Sequence, residues 1–341
     1  MLGIGIIGGG LISEKHIDAI KDISDAKVVA ISSRSVESAM RAAERCGADI
    51  CATNEELLAR DDVDAVIICT PSGAHGGIAI LAAKAGKHVI IEKPIEITSE
   101  RIDAVIHACE CSKVQLHGIY NNRYKPVYQF LKKAVDSGRF GKMINANANV
   151  RWYRSPEYYH ESSWRGTWSL DGGGALMNQS IHYVDLLLWL VGDVTRVFGY
   201  TRTLLHKGIE TEDTAVASLE FVNGAIGSFI ATTSTYGGFP AELQITGERG
   251  TAVVRDNRIV HWVFRDHDII DDEIEEYKEA KNAKEFADPA AFDCADHRAQ
   301  LKQIVYEILN KKPPSVSGEE ARKAVELILR IYQSSKEHRE F

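Results

Sequence analysis

Lys93 stands between Glu92 and Pro94 at the end of a short apolar run, His88-Val89-Ile90-Ile91. A continuous apolar run reads as a buried parallel strand, and chemistry in an open α/β sheet collects beyond the carboxyl ends of such strands. Pro94 stops the strand and biases Lys93 away from helical geometry. An ammonium fixed there and partly dried can give and take a proton. Taken alone, Glu92 and Lys93 read equally as solvated loop charges. A second constellation lies downstream. Asn178, His182 and Asp185 stand at i, i+4 and i+7 of a helical pattern, hence on one face. The amide can orient a hydroxyl and the imidazole can relay its proton, with Asp185 holding the tautomer or pairing elsewhere. The third feature is Gly8-Gly9-Gly10-Leu11-Ile12-Ser13, a glycine turn that follows an apolar strand and opens a helix. Gly8 permits the tight turn, Gly10 lets backbone approach a pyrophosphate, and the helix N-terminus offers free N–H groups. Ser13 replaces the third glycine and is a candidate cap.

These groups need a scaffold. Strands are expected at Leu2 to Ile7, Lys27 to Ser32, Asp64 to Cys69, His88 to Ile91 and Val114 to Ile119. Helices between them run from about Ser13 to Ile23, Val36 to Cys46, Ile78 to Ala85 (closed by Gly86) and Arg101 to Cys111, with Asn54 capping a short one. Alternation of this kind predicts a parallel sheet with right-handed crossovers. After a helix from Pro126 to Asp136 the pattern changes. Met143 to Tyr153 alternates apolar and polar residues, as a half-exposed strand does. A segment rich in Trp, Arg and Gly, 163–174, feeds the helix of Asn178 and His182, about Ala175 to Val191. Six further strand-like runs between Val194 and Val263, with an Asn223-Gly224 hairpin signal, predict an antiparallel or mixed sheet. Helices near Pro289 to Leu309 and Glu319 to Lys336 close the chain, the second opened by a capping box at Ser317 to Glu320. The expected domains are 1–120 and 121–341, with the C-terminal helices free to pack back on the first.

The chain has 341 residues, a net charge of −8, 45% hydrophobic and 26% charged residues. That is the composition of a globular protein of two domains, and the charge argues against nucleic acid or an anionic membrane surface as partner. No apolar run reaches the roughly 18 residues of a membrane span. No basic n-region or cleavage site precedes the first strand, so a cytoplasmic location is expected. The six cysteines read as reduced thiols. Cys109 and Cys111 have no second Cys/His cluster to complete a metal site, and no metal is expected.

Gly8-Gly9-Gly10, Glu92-Lys93-Pro94, and a glycine-rich turn leading to His182 together resemble the Gfo/Idh/MocA oxidoreductases, over essentially the whole chain. The resemblance implies an α/β protein. A Rossmann domain is followed by an α+β domain whose open, largely antiparallel mixed sheet forms a homodimer or homotetramer interface. It implies Lys93 and His182 as catalytic residues, assisted by Asn178, where many members carry Asp. Gly172 to Gln179, Trp164 to Trp168 and Cys69 to Gly73 look closer to the branch that oxidises C3 of UDP-N-acetylglucosaminuronic acid. The expected reaction is hydride transfer between a secondary carbinol of a sugar, sugar acid, nucleotide-sugar or polyol and NAD(P). The residues expected at the cofactor are Gly8, Gly10, Leu11, Ile12, Ser33, Arg34, Thr70, Pro71, His75, Glu92 and Lys93. No carboxylate follows the second strand; Arg34 suits a 2′-phosphate or stacks on adenine, and the reading favours NADP. Substrate contacts are expected from Arg123, Tyr153, Arg154, Arg165, Trp168, Asn178 and His182, with interface or core packing as their ordinary roles. Two other readings stand beside this one: a nucleotide-binding sensor without turnover, and a glycosidase that uses NAD redox transiently.

Overall fold

The structure is a computed structural model that describes residues 1–278 and 294–341. In chain order the elements begin β1 (Leu2–Ile7), α1 (Leu11–Lys21), β2 (Ala26–Ser32), α2 (Val36–Cys46), β3 (Asp49–Cys51), α3 (Asn54–Leu58) and β4 (Ala65–Ile68). Then come α4 (His75–Lys84), β5 (His88–Ile91), α5 (Ser99–Ser112), β6 (Leu116–Gly118), α6 (Pro126–Asp136), β7 (Met143–Arg151) and α7 (Pro156–His160). The chain continues with α8 (Ile181–Val191), β8 (Val194–Arg202), β9 (Thr214–Phe221), β10 (Ile226–Thr232), β11 (Glu242–Gly247), β12 (Gly250–Arg255) and β13 (Arg258–Phe264). It ends with α9 (Ile270–Glu273), α10 (Ala295–Leu309) and α11 (Gly318–Glu337). The described residues fall into two compact units, 1–121 with 294–325, and 122–278 with 326–341. The chain therefore returns to its first unit for α10 and the start of α11.

The first unit is built on a six-stranded sheet of order β3-β2-β1-β4-β5-β6, parallel throughout. Both faces of such a sheet are covered, which is why β1 and β4 are buried at every position. Ile17 and Ile20 of α1, Ala39 and Ala42 of α2, and Leu301, Ile304, Val305 and Ile308 of α10 close one core over β1 and β2. Strand order reverses between β1 and β4, the point where open α/β sheets bind ligands.

The second unit carries a seven-stranded sheet, β13-β12-β11-β7-β10-β9-β8, antiparallel except for the β7–β10 pair. Its strands alternate buried and half-exposed residues: Ala146, Ala148 and Val150 of β7 face inward, toward α8, while Asn145, Asn147 and Asn149 face outward. The outward face carries Tyr200 and Val216, 50% and 44% exposed, beside the partly covered Phe198 and Ile230. Among the described residues no helix is long and apolar enough to cross a membrane.

Local details differ from the expectations. Helix α1 begins at Leu11 with Gly10 at its N-cap, and the Ser13 hydroxyl donates to Gly10 O at 2.5 Å instead of capping N–H groups. Thr53, one residue earlier than expected, caps α3 by accepting from Glu56 N at 3.1 Å. The Ala175 to Val191 helix opens as a π-helix, Ala175–Ser180, before it becomes α8. The Ser317 cap accepts from Glu320 N at 3.3 Å and donates to Glu319. The helix expected from Pro289 has its first residues, 289–293, outside the described residues.

Candidate active site

In the first unit the three N-terminal glycines do three different jobs. Gly8 has φ +109°, and a Cβ there would lie 2.7 Å from Cys69 O, so β1 and β4 approach too closely for a side chain. A Cβ on Gly9 would lie 2.9 Å from Ser38 of α2. A Cβ on Gly10 would meet nothing within 4 Å. The space in front of Gly10 is open, and the leading N–H groups of α1, those of Leu11 and Ile12, have no intrahelical partner. At the end of β4 the Thr70 hydroxyl is buried and has no hydrogen-bond partner among the described residues. An open cradle, a helix N-terminus and a spare hydroxyl at the strand-order reversal fit a dinucleotide pyrophosphate and its ribose.

Two residues expected at the cofactor are occupied otherwise. The His75 ring is buried, with Nδ1 and Nε2 each 2.8 Å from a main-chain oxygen, that of Pro94 and that of Thr70. Its imidazole ties the turn after β4 to the residue following Lys93. Glu92 points inward. Its Oε1 lies 2.7 Å from His16 Nε2 on α1 and 3.9 Å from His297 Nε2 on α10, and its Oε2 accepts Lys93 N at 3.1 Å. Burial alone would raise the Glu92 carboxyl; the hydrogen bond from His16 and the charges of His16, His297 and Lys93 outweigh it and lower it to about 2. The three ligand-type side chains lie within 4.8 Å of one another. The 2.7 Å separation is that of a shared proton, closer than two donors on one ion sit, so the trio reads as a hydrogen-bonded brace. Lys93 itself is half-buried at the end of β5, before a cis bond to Pro94. Pro71 is half-buried, Ser33 accepts from Ser35 N at 3.4 Å, and Arg34 is exposed with no ion pair among the described residues.

In the second unit the π-helical turn gathers a polar network. The Asn178 amide donates to Asp171 and its Oδ1 accepts Gln179 Nε2 at 2.9 Å. Gln179 Nε2 also donates to Tyr158 Oη at 2.8 Å, and Gln179 Oε1 accepts Arg154 Nε at 3.0 Å. The Arg154 and Arg165 guanidinium carbons lie 5.5 and 4.2 Å from the Tyr158 ring centre, and Arg165 donates to Tyr158 O at 2.9 Å. Burial pulls the Arg154 pKa down, and the positive charge of Arg165 adds to that. Arg165 Nε is buried without a hydrogen-bond partner among the described residues. His182 follows one turn later, half-buried. Trp168 is 45% exposed and meets Tyr332 edge-on at 5.2 Å, and Tyr153 meets Tyr236 at 5.3 Å.

Arg123 is not available to a substrate in the way expected of it. It is 5% exposed and gives both arms of its guanidinium to Asp185, and it lies 5.5 Å over Trp189. Asp185 accepts both of those bonds and is itself almost wholly buried.

His16, Asp171, Gln179, Glu212 and Tyr158 were not singled out from sequence. His16 sits on the apolar stripe of α1, where a lone histidine reads as core. Asp171 is 2% exposed and also accepts Gly166 N at 2.8 Å. An acid immediately before three glycines was the one available signal for it.

Comparison with known proteins agrees with this geometry. Residues 2–120 match the Gfo/Idh/MocA oxidoreductase family with an NAD-binding Rossmann fold, and residues 128–253 match the Gfo/Idh/MocA C-terminal domain. The WlbA dehydrogenase of Bordetella pertussis, solved with NADH and UDP-GlcNAcA, is 35% identical, with 100% of this chain and 97% of that one covered and a TM-score of 0.91. Its Chromobacterium violaceum counterpart, solved with the same two ligands, is 34% identical over 99% and 95% of the two chains, with a TM-score of 0.91. Myo-inositol 2-dehydrogenase of Thermotoga maritima is 26% identical over 98% of this chain and 97% of its own. The chain belongs to the Gfo/Idh/MocA family of oxidoreductases.

Proposed function

We propose that this oxidoreductase is a dehydrogenase of an anionic sugar, a sugar acid or a nucleotide-sugar acid, and that it oxidises one secondary carbinol. The observation that carries the substrate class is the pair Arg154 and Arg165 set against Tyr158, joined through Gln179 to Asn178. Two guanidiniums kept close together need an anion to make their proximity favourable, and planar forks suit carboxylate or phosphate. Two relatives at 34% and 35% identity carry UDP-GlcNAcA, which is both.

Bound nicotinamide supplies the hydride acceptor. Lys93, in neutral form, takes the hydroxyl proton, and His182 assists that transfer. Asn178, turned by Asp171, orients the hydroxyl, so that most of the work is positioning. For the cofactor, NAD binding follows from the family; an exposed Arg34 without an ion pair and the missing carboxylate after β2 support a preference for NADP. The first unit serves as the nucleotide domain and the second as the substrate domain. The open face of the seven-stranded sheet is the self-association surface of a homodimer or homotetramer, and the enzyme works in the cytoplasm.

The test is a panel of free sugars, inositols and UDP-sugar acids with NAD and NADP, followed by nicotinamide absorbance and product analysis. Turnover of sugar acids and not of inositols is expected. Turnover confined to neutral polyols sinks the substrate class. Binding without reduction marks a sensor, and product without net nucleotide change marks a glycosidase.

A further inference from the structure

The glycine triplet Gly172-Gly173-Gly174 leads into the helix of Asn178 and His182. Its geometry gives the reason for two of the glycines. Glu212, 3% exposed just before β9, sends its carboxylate into the turn that opens the π-helix. Its Oε2 accepts Gly174 N at 3.0 Å and its Oε1 accepts Leu176 N at 2.8 Å. Tyr332 of α11 donates its hydroxyl to the same Oε1 at 3.0 Å, and the Glu212 main-chain oxygen accepts Ala175 N at 3.0 Å. The turn lies so tightly against this pair that a Cβ on Gly173 would stand 2.1 Å from Tyr332 Oη, and one on Gly174 would stand 1.9 Å from Glu212 O. Gly173 and Gly174 are thus glycines because Tyr332 and Glu212 leave no room for a side chain.

We propose that Glu212 and Tyr332 are positioning residues for the oxidoreductase reaction, gripping the N–H groups of the turn from which Asn178 and His182 are presented. This rests on the reading that those two residues serve the substrate. An ionised Glu212 accepts the two N–H groups and the Tyr332 hydroxyl. A protonated one turns one oxygen into a hydroxyl, a weaker acceptor, and the bonds from Gly174 N, Leu176 N and Tyr332 lose their charge assistance.

Tyr332 from α11 bonds Glu212, Asp171 from the segment before the triplet acts on Tyr332, and Glu210 and Asp213 flank Glu212 in sequence. No Lys, Arg or His is ion-paired with it among the described residues. Burial raises the Glu212 carboxyl, the N–H and Tyr332 bonds oppose this, and the result is about 7. Tyr332 is held well above its ordinary value by burial and by Glu212, so it remains the donor. The grip therefore loosens on acidification within the working range of a dehydrogenase.

The experiment compares wild type, Glu212→Gln and Tyr332→Phe as full chains. The assay uses NAD and UDP-GlcNAcA across the neutral range, together with hydrogen–deuterium exchange of residues 174–180. Glu212→Gln is expected to lower kcat about tenfold to a hundredfold with the nucleotide KM within about twofold, since displacement of a reacting group acts on kcat. It should also lose the acid limb of the wild-type kcat profile near pH 7. If Glu212→Gln does not fold, Tyr332→Phe keeps the carboxylate and removes one donor, so the limb should move to higher pH. Exchange of 174–180, corrected for the intrinsic pH dependence of amide exchange, should rise on acidification in wild type and Tyr332→Phe and not in Glu212→Gln. A kcat within twofold of wild type in Glu212→Gln, a limb that Tyr332→Phe leaves in place, or pH-independent exchange would overturn the proposal. A wild type that reduces no nucleotide with any sugar sinks the reading of the reaction instead, and the exchange measurement still decides the grip.

Discussion

The Arg123 guanidinium meets the Asp185 carboxylate through two parallel hydrogen bonds, Nε to Oδ2 at 2.8 Å and Nη2 to Oδ1 at 2.6 Å. Both side chains are almost wholly buried in the second unit, which makes the pair a stability element. Breaking a buried pair leaves one charge unsatisfied and costs about 3–5 kcal/mol, whereas replacing both partners with apolar residues is close to neutral. Arg123→Met and Asp185→Leu should each lower the unfolding free energy from denaturant titration by that amount, and the double variant should recover most of it. Additive losses in the double variant would show that the two residues act independently.

Gly10 and Gly174 are both glycines within signature turns, and the structure separates them. Gly10→Ala introduces a methyl into open space and should change stability by less than about 0.5 kcal/mol. It should raise the nucleotide Kd by about tenfold or more, because the methyl occupies the path of the pyrophosphate. Gly174→Ala drives a methyl into Glu212 O and should cost about 1–3 kcal/mol or prevent folding of the second unit. Calorimetry and nucleotide titration of the two variants check the contrast; equal nucleotide affinity in Gly10→Ala and wild type removes the cradle from the account.

This contrast shows where sequence reading reached its limit. The parallel sheet was legible because β1, β4 and β5 are unbroken apolar runs ending in glycine or proline signals. The second sheet was legible as alternation, although nothing local specifies that β7 and β10, about 80 residues apart, pair in parallel. Asn178 and His182 were placed on one face by a 3.6-residue repeat, and the widening to a π-turn leaves no periodic trace. Thr53 and Asn54 are both good caps, and only the Thr53 to Glu56 N bond decides between them. The buried bonds of Glu92, His75 and Arg123 were not legible, because their partners His16, Pro94 and Asp185 lie far off in sequence.

Stability should fall in acid for a reason that two groups share. Glu92 drops from an ordinary 4.5 to about 2 in the fold, so its contribution is present above pH 4.5 and is lost as pH falls toward 2. Burial lowers His117 from 6.5 to about 3, so the fold keeps it neutral while the unfolded chain binds a proton, and stability again declines as pH drops from 6.5 to 3. Glu212 runs the other way: the folded chain holds its proton up to about 7, so between pH 7 and 4.5 it adds stability as pH falls. The expected observation is a melting temperature that drops below pH 6.5 less steeply in His117→Gln than in wild type. A flat wild-type profile across that range contradicts the assignment.

Arg34 separates the two nucleotides. Arg34→Ala should lower kcat/KM for NADP about tenfold, the worth of one charge-assisted pair, and leave NAD within about twofold. A wild type with a strong NAD preference ends the case for the 2′-phosphate.

Lys93 carries the central claim, and single-turnover reduction of nucleotide by the Lys93→Ala variant tests it most directly. With a sugar acid that wild type oxidises, the variant should bind nucleotide within a few-fold of wild type. Hydride transfer should be slowed by about a hundredfold or more, because the hydroxyl proton has lost its acceptor. A rate of reduction close to that of wild type would contradict the account.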